Sequence, residues 1–432
     1  MSTSLPPGPS LPMPLQTAAH VTLPVRYLEF CRRRYGDTFT IRIVGTGPMV
    51  YLANPADARA VFRGDPEVFR AGEANAPAAP LVGPRSVLVS DGEAHTRARK
   101  LMVPAFHGDS VSRLTRVMAE VAAAEIVTWP AGEEFAVHPH MQAITLEVIL
   151  RAVIGADRPD RIAELRRVLP PMMGVGPLAA MALLRPGLLR FWPWSKQLGV
   201  RREADLVLHD EIARARADRR LGERHDVLAA LVQAAGDAPE GDLEVRDQLV
   251  TLLLAGHETT ATALSWTLEQ LVRAPAVLER ARDAADQDDH DYLDAVIAES
   301  LRRRPVAAEV VRRVSCPTEV AGFTLPAGTT VAVGTALVHG DPGNYEDADA
   351  FAPERYLGHR PDPAVWFPFG GGTRRCVGAR FAAVEMRVVL GEILRRVDLA
   401  VSTAPPETPR RRHVTVAPSR GARVTVTLRE PS

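Results

Sequence analysis

Only three cysteines occur in 432 residues, Cys31, Cys316 and Cys376, an odd number, widely spaced and without a C-x-x-C pair. That argues against a disulfide framework or a structural zinc site and suits a reducing compartment, the cytoplasm. An excess of one charge is also lacking: Lys plus Arg and Asp plus Glu are 52 each. No whole-molecule field therefore favours nucleic acid or an anionic membrane. No apolar run reaches the roughly 20 residues of a membrane anchor. The most apolar stretch, Leu178 to Trp194, is interrupted by Arg185, Pro186, Arg190 and Pro193 and reads as two short helices and a loop. The first residues, MSTSLPPGPSLPMPLQ, lack a charged region followed by an apolar core, so they do not read as a signal peptide. Their prolines predict an extended strap over residues 1–22. Repeats and low-complexity linkers are absent, which predicts one continuous domain over residues 1–432.

What is there is globular: hydrophobic residues at 46% and charged residues at 24% suit a chain with a large core. From Arg42 to Leu52 the pattern predicts two strands around a Gly-Pro turn, followed by a helix with Asn54 as N-cap and Pro55 at its first position. Helical periodicity dominates from about Asp91 to Ala298, and short strands with turns follow Arg302. The segment RHVTVAPSRGARVTVTLRE reads as a closing hairpin. The fold class is thus mainly α with a small β region.

Glu244 to Ala274 contains no proline and carries a strongly apolar face, so it predicts one helix of about 45 Å through the middle of the protein. At its centre stand Ala255, Gly256, His257, Glu258, Thr259 and Thr260. The small residues thin the helix, and the acid and alcohol beside them offer either a groove that relays protons or a packing notch with solvated neighbours. His257 shares no face with a histidine at i+4 and is expected at the surface. Glu299 and Arg302 lie three apart on one helical face, an arrangement usually found at surfaces. Pro305 and the apolar DAVIA before the pair make burial plausible, and Arg355 could complete a buried network.

Cys376 lies in FPFGGGTRRCVGARFA, after Arg374 and Arg375 and just before an apolar helix. Cationic side chains and helical N–H groups there favour thiolate over thiol. No patterned His or Asn partner nominates it as a nucleophile. The glycines do not form a nucleotide loop, since G-x-G-x-x-G would need glycine where Arg375 stands. An axial metal ligand remains, with glycines admitting a flat group and Arg374 available to a carboxylate; haem with two propionates meets these demands.

FGGGTRRCVG, Phe369 to Gly378, resembles the cytochrome P-450 signature F-x-x-G-x-R-x-C-x-G, with Phe369, Gly372, Arg374, Cys376 and Gly378 in place. AGHETT resembles that family's [AG]-G-x-[DE]-T-[TS], Glu299 and Arg302 its E-x-x-R, and PERY its P-E-R-[FY]. The resemblance runs from about Leu23 to the C-terminus. It implies the cytochrome P-450 fold, a long central helix over haem b, with Cys376 as proximal iron ligand and Phe369 near its sulfur. Arg374, His95, Arg99 and Arg312 would meet propionates, with Arg313 the competitor of Arg312, and Gly370 and Gly378 would border the cofactor. Gly256, Glu258 and Thr259 would lie on the distal side, Thr259 bonding the bound dioxygen and Glu258 helping to deliver protons. Glu299, Arg302 and Arg355 would be structural.

The implied reaction uses O2, two electrons and two protons to insert one oxygen into a C–H or C=C bond of a lipophilic small molecule. The chain carries no flavin or iron-sulfur motif, so NAD(P)H would supply electrons through a separate ferredoxin or flavodoxin and its reductase. Arg375, Arg380, Arg97 and Lys100 are candidates for a basic landing face, or are simply solvated. A soluble bacterial-type monomer is implied. The rivals are a haem-thiolate isomerase or peroxygenase, and a non-enzymatic haem sensor. Apolar segments around Ala71 to Ser90 and Leu169 to Phe191 suit either a pocket for a lipophilic ligand or the core.

Overall fold

A computed structural model describes residues 5–429 except 107, 157, 174–190, 192–193, 237–238 and 413. The two short helices expected over 178–194 fall almost wholly outside the described residues. The chain packs as two compact units, one of Met1–Arg70, Thr115–Ile144 and Glu258–Ser432, the other of Ala71–Leu114 and Thr145–His257. Helices dominate and the sheets are small, as the periodicity predicts. Among the described residues no helix is long and apolar enough to cross a membrane.

Helices that carry the argument are α1 (Met13–Thr22), α2 (Pro24–Tyr35), α3 (Pro55–Arg63), α4 (Gly92–Met102), α5 (His138–Val153), α6 (Pro239–Val272), α7 (His290–Arg303), α8 (Thr335–His339) and α9 (Ala379–Arg396). The first unit holds a mixed five-stranded sheet in the order β1 (Thr38–Ile43), β2 (Gly47–Leu52), β8 (Thr330–Val333), β5 (Val310–Val314), β3 (Phe69–Arg70). Its β2 and β8 run parallel and the other pairs antiparallel. Because side chains alternate along a strand, β2 feeds two cores. Val50 and Leu52 join Val331, Val333, Ala58, Val61 and Phe367 on one face, while Tyr51 joins Phe39, Ile41 and Leu28 on the other. Each such side chain contributes about 1.5–3 kcal/mol by leaving water. Asn54 caps α3 as expected, its side chain accepting from Ala56 N at 2.8 Å ahead of Pro55.

Two expectations are corrected. The N-terminal strap is extended only to Pro12; α1 then forms, because Pro14 sits in the first helical turn, where its fixed φ and missing N–H cost nothing. Buried Gln16 ties the two parts together, donating to Pro9 O and Leu11 O and accepting from Arg42 N. The C-terminal hairpin is the second correction. β11 (Thr415–Pro418) pairs with β10 (Pro409–Arg412), whereas β12 (Arg423–Leu428) pairs with β4 (Glu134–Ala136) and β9 (Val397–Val401). Gly421 and Ala422, both at positive φ, turn the chain away, and the Arg423 guanidinium bonds Glu134 in the distant strand. The remaining strands, β6 (Thr318–Val320) and β7 (Phe323–Leu325), form a separate hairpin.

Candidate functional site

Cys376 is exposed and in no disulfide, two residues before Gly378, the N-cap of α9. The loop that presents it is closed by its own backbone. Cys376 N donates to Phe369 O at 2.9 Å, Arg375 N to Gly372 O at 3.2 Å, and Gly370 N to Phe367 O at 2.9 Å. Gly370 and Gly372 take φ of +68° and +65°, where a side chain would be strained. A Cβ on Gly372 would also stand 1.9 Å from Phe62 O, so this glycine lets the end of α3 pack on the loop. Beside Gly378 nothing lies within 4 Å of a Cβ position, leaving open space next to the cysteine.

Behind the loop stands the charge network, in the same unit. Glu299 and Arg302 are fully buried and bidentate, with Arg302 Nε 2.8 Å from Glu299 Oε2 and Nη2 2.9 Å from Oε1. Arg302 also donates to His339 O and Ala348 O, each at 2.8 Å, and Arg355 Nε meets Glu299 Oε1 at 3.2 Å. His339, which no sequence pattern singles out, links this network to the cysteine loop: its Nε2 accepts from Phe367 N at 2.9 Å. Trp366 adds a second tie, donating from Nε1 to Ala298 O in α7 and lying edge-on to Phe369.

Burial, reinforced by the Arg302 charge, pushes the His339 imidazole down to about 3 from 6.5. His20 falls to about 4 through burial and the charge of Arg411, against an opposing pull from Glu309. Both folded values lie below the unfolded one, so between them the unfolded chain binds more protons. Stability is thus lost as pH falls below about 6.5, by at most about 1.4 kcal/mol per pH unit for each histidine. Denaturant melts are expected to weaken between about pH 7.5 and about pH 5; a midpoint unchanged over that range would refute neutral burial of the two rings.

The long helix forms as α6, starting at Pro239 rather than Glu244. At Gly256 the missing Cβ faces α5, where Ile149 Cδ1 would stand 2.8 Å away, so on that side the glycine is a packing notch. His257 is buried, not at the surface: Thr145 Oγ1 lies 3.3 Å from its Nδ1 and donates to its carbonyl at 3.0 Å. In the first unit, Glu258 meets partners remote in sequence. Gln142 Nε2 donates to its Oε2 at 2.5 Å, His138 Nε2 stands 3.5 Å from Oε1, and Arg412 Nε is 3.7 Å from Oε1. Burial raises the affinity of this carboxyl for a proton, but His138, Gln142 and Arg412 outweigh it and bring its pKa down to about 2. Thr259 is the next residue of the helix.

Arg312 and Arg313, adjacent in β5, face opposite ways. Arg312 is buried on the side of Val314 and stands over the Phe62 ring at 5.9 Å, the ring that packs on Gly371. Arg313 instead lies by Gly328. His95, buried, and Arg99, half-buried, are one turn apart on α4 in the second unit.

The cytochrome P450 family model matches residues 6–426. The chain belongs to the cytochrome P450 family. It is similar to the provisionally named cytochrome P450 135B1 of Mycobacterium tuberculosis, 49% identical over 433 residues that cover 98% of this chain and 92% of that one. Similarity to the provisionally named cytochrome P450 138 of the same organism is 39% identity over 431 residues, covering 98% and 97%. The retinoic acid bound cyanobacterial CYP120A1 shares the fold at 24% identity, with a TM-score of 0.85 over 99% of this chain and 100% of that one. As a P450 the chain is a monooxygenase, an oxidoreductase that uses haem, O2 and a redox partner. The residues of the first unit fit haem: a thiol exposed before a helix N-terminus, open space beside Gly378, and the cations Arg312 and Arg374 for two carboxylates.

Proposed function

We propose that this P450 oxidises a lipophilic small molecule, drawing electrons from NAD(P)H through a separate acidic ferredoxin or flavodoxin and its reductase. When bound, haem would supply the chemistry of O–O cleavage and oxygen insertion, which a thiolate ligand favours. Cys376 is its ligand in this reading, kept as thiolate by Arg374, Arg375 and the N-terminus of α9. Phe369 covers the sulfur, Gly370 and Gly378 let backbone approach the ring, and Arg312, Arg374, His95 and Arg99 take the propionates. Thr259 and Glu258 hold and move protons on the distal side, where Gly256 lets α6 pack tightly. Glu299, Arg302 and Arg355 are structural and, through His339, fix the cysteine loop. The apolar character of residues 71–90 supports a lipophilic substrate. The match over 6–426, with each unit assembled from several chain segments, supports a single catalytic domain, which we take to act as a cytoplasmic monomer.

The observation that carries the redox-partner reading is a cavity of about 750 Å³ against the cysteine loop, lined by Arg59, Arg63, Arg360 and Arg375 against a single acid, Asp362, with the rings of Phe62 and Trp366. Four guanidinium groups around aromatic walls suit an acidic protein and steer its approach. Exposed Arg380 extends the charge. The double reversal Arg59→Glu with Arg375→Glu is expected to slow reduction by an acidic surrogate ferredoxin about tenfold at low salt and to flatten its salt dependence. Unchanged rate and unchanged salt dependence would remove this surface from the account.

A further inference from the structure

We propose that His138 holds Glu258 and reloads it with the proton it delivers, a positioning role that rests on the monooxygenase reading above. The first support is the hydrogen-bond arithmetic of the ring. Ser265 Oγ donates its one proton to Ala261 O at 2.7 Å, so toward His138 Nδ1, 3.1 Å away, it can only accept. His138 Nδ1 therefore carries hydrogen. Its Nε2 faces Glu258 Oε1 at 3.5 Å; both atoms are shielded from solvent and neither is in a hydrogen bond with a described residue. Without a proton between them, a ring lone pair would confront an anionic oxygen in a buried site, which is costly. One proton consequently belongs to the pair, either as imidazolium with carboxylate or as imidazole with carboxylic acid.

The surroundings set which form rests and how it changes. Gln142 holds the second carboxyl oxygen, and half-exposed Arg412 adds a positive charge beside Oε1, so the ion pair is the resting form. The low affinity of Glu258 for a proton agrees with this. His138 N is itself pinned to Gly421 O at 3.0 Å, fixing where the ring starts. His140, two residues on, bonds Glu125 at 2.8 Å and packs on Trp129 and Phe135, so its ring is committed elsewhere.

In the transfer, the Nε2–H bond breaks and an Oε1–H bond forms, turning a cation and an anion into two neutral groups. The attraction that His138 and Arg412 exert on the carboxylate disappears with its charge. Glu258, now an acid, gives the proton to the neighbouring Thr259 hydroxyl, which releases its own hydrogen to the reacting oxygen, and Glu258 returns as carboxylate. Water that reaches the partly exposed carboxyl beside Arg412 returns a proton to the pair through that carboxyl, and it settles again on Nε2. One solvent proton is consumed per delivery and no electrons move.

The test uses the holoenzyme. His138→Gln keeps hydrogen-bonding capacity but cannot carry the proton; product per NADPH is expected to fall about tenfold, the missing electrons appearing as hydrogen peroxide. The rate of haem reduction should stay as in the native enzyme. A readout independent of turnover is the ¹⁵N spectrum of labelled histidine in the reduced, carbon-monoxide-bound protein. There, His138 Nδ1 should stay protonated throughout, and Glu258→Gln should strip the proton from Nε2. Should His138→Gln not fold, Ser265→Ala, which removes the acceptor at Nδ1, is expected to lower coupling in the same direction. Native coupling in these variants, or an unprotonated Nδ1, would overturn the proposal while leaving the monooxygenase reading intact. A native enzyme that makes no product with any electron donor would instead overturn that reading.

Discussion

Replacing Arg302 by alanine is expected to lower stability by about 3–5 kcal/mol, because it strands a charge in a place without water. Glu299 is fully buried, and both of its oxygens are satisfied by the Arg302 fork. Arg355 Nε stands 3.2 Å from each of them, a longer contact than the fork, and is itself partly exposed. The same substitution leaves His339 O and Ala348 O without their donor. Total stabilities of single domains are about 5–15 kcal/mol, so the variant should be recovered mostly unfolded or without haem. Arg302→Lys is the informative control: it keeps the charge but not the fork, and should fall between the two. Denaturant melts and the haem content of purified protein measure both effects. A loss below about 1 kcal/mol for Arg302→Ala would mean that the pair does not organise the region behind the cysteine loop.

Cys376→Ser should abolish monooxygenation, a fall of at least about a thousandfold in product formation, while leaving the fold nearly as stable as before. The reasons for both halves lie in the loop. Its shape is fixed by backbone bonds from Cys376 N, Arg375 N and Gly370 N and by glycines at positive φ, none of which involves the sulfur. The side chain is exposed, so trading sulfur for oxygen empties no core. What disappears is the anionic, polarisable donor that pushes electron density toward O–O cleavage. Product assay and thermal melts on the same preparation separate the two effects. Retained turnover would show that some other side chain ligates the metal.

How much of this was legible in the sequence depended on how local the determinants are. The cysteine loop occupies ten consecutive residues, so its glycines, arginines and thiol announce themselves together. Asn54 and Pro55 start α3 by a rule that needs only two neighbours. Glu299 and Arg302 could be placed on one helical face by counting, yet their burial depends on carbonyls of His339 and Ala348, which no periodicity brings near. The partners of Glu258 show the same limit. His138 and Gln142 lie more than a hundred residues before it and Arg412 far after it, so only the packed first unit reveals the clamp. His257 was expected at the surface because isolated histidines usually are; α5 covers it in a way that one helix cannot show. At the termini, the prolines of the first residues predict an extended strap over 1–22, although Pro14 occupies a first turn that tolerates it. The closing strands were read as a hairpin because neighbours in sequence usually pair, whereas Gly421 and Ala422 send β12 to β4 and β9.

The claim on which everything else rests is that Cys376 presents a thiolate to haem. The absorption spectrum of the purified native protein, reduced with dithionite under carbon monoxide, tests it most directly. The account predicts a strongly red-shifted Soret band that is absent from Cys376→Ser. A band at the unshifted position in the native protein, or a protein that binds no haem, would contradict it.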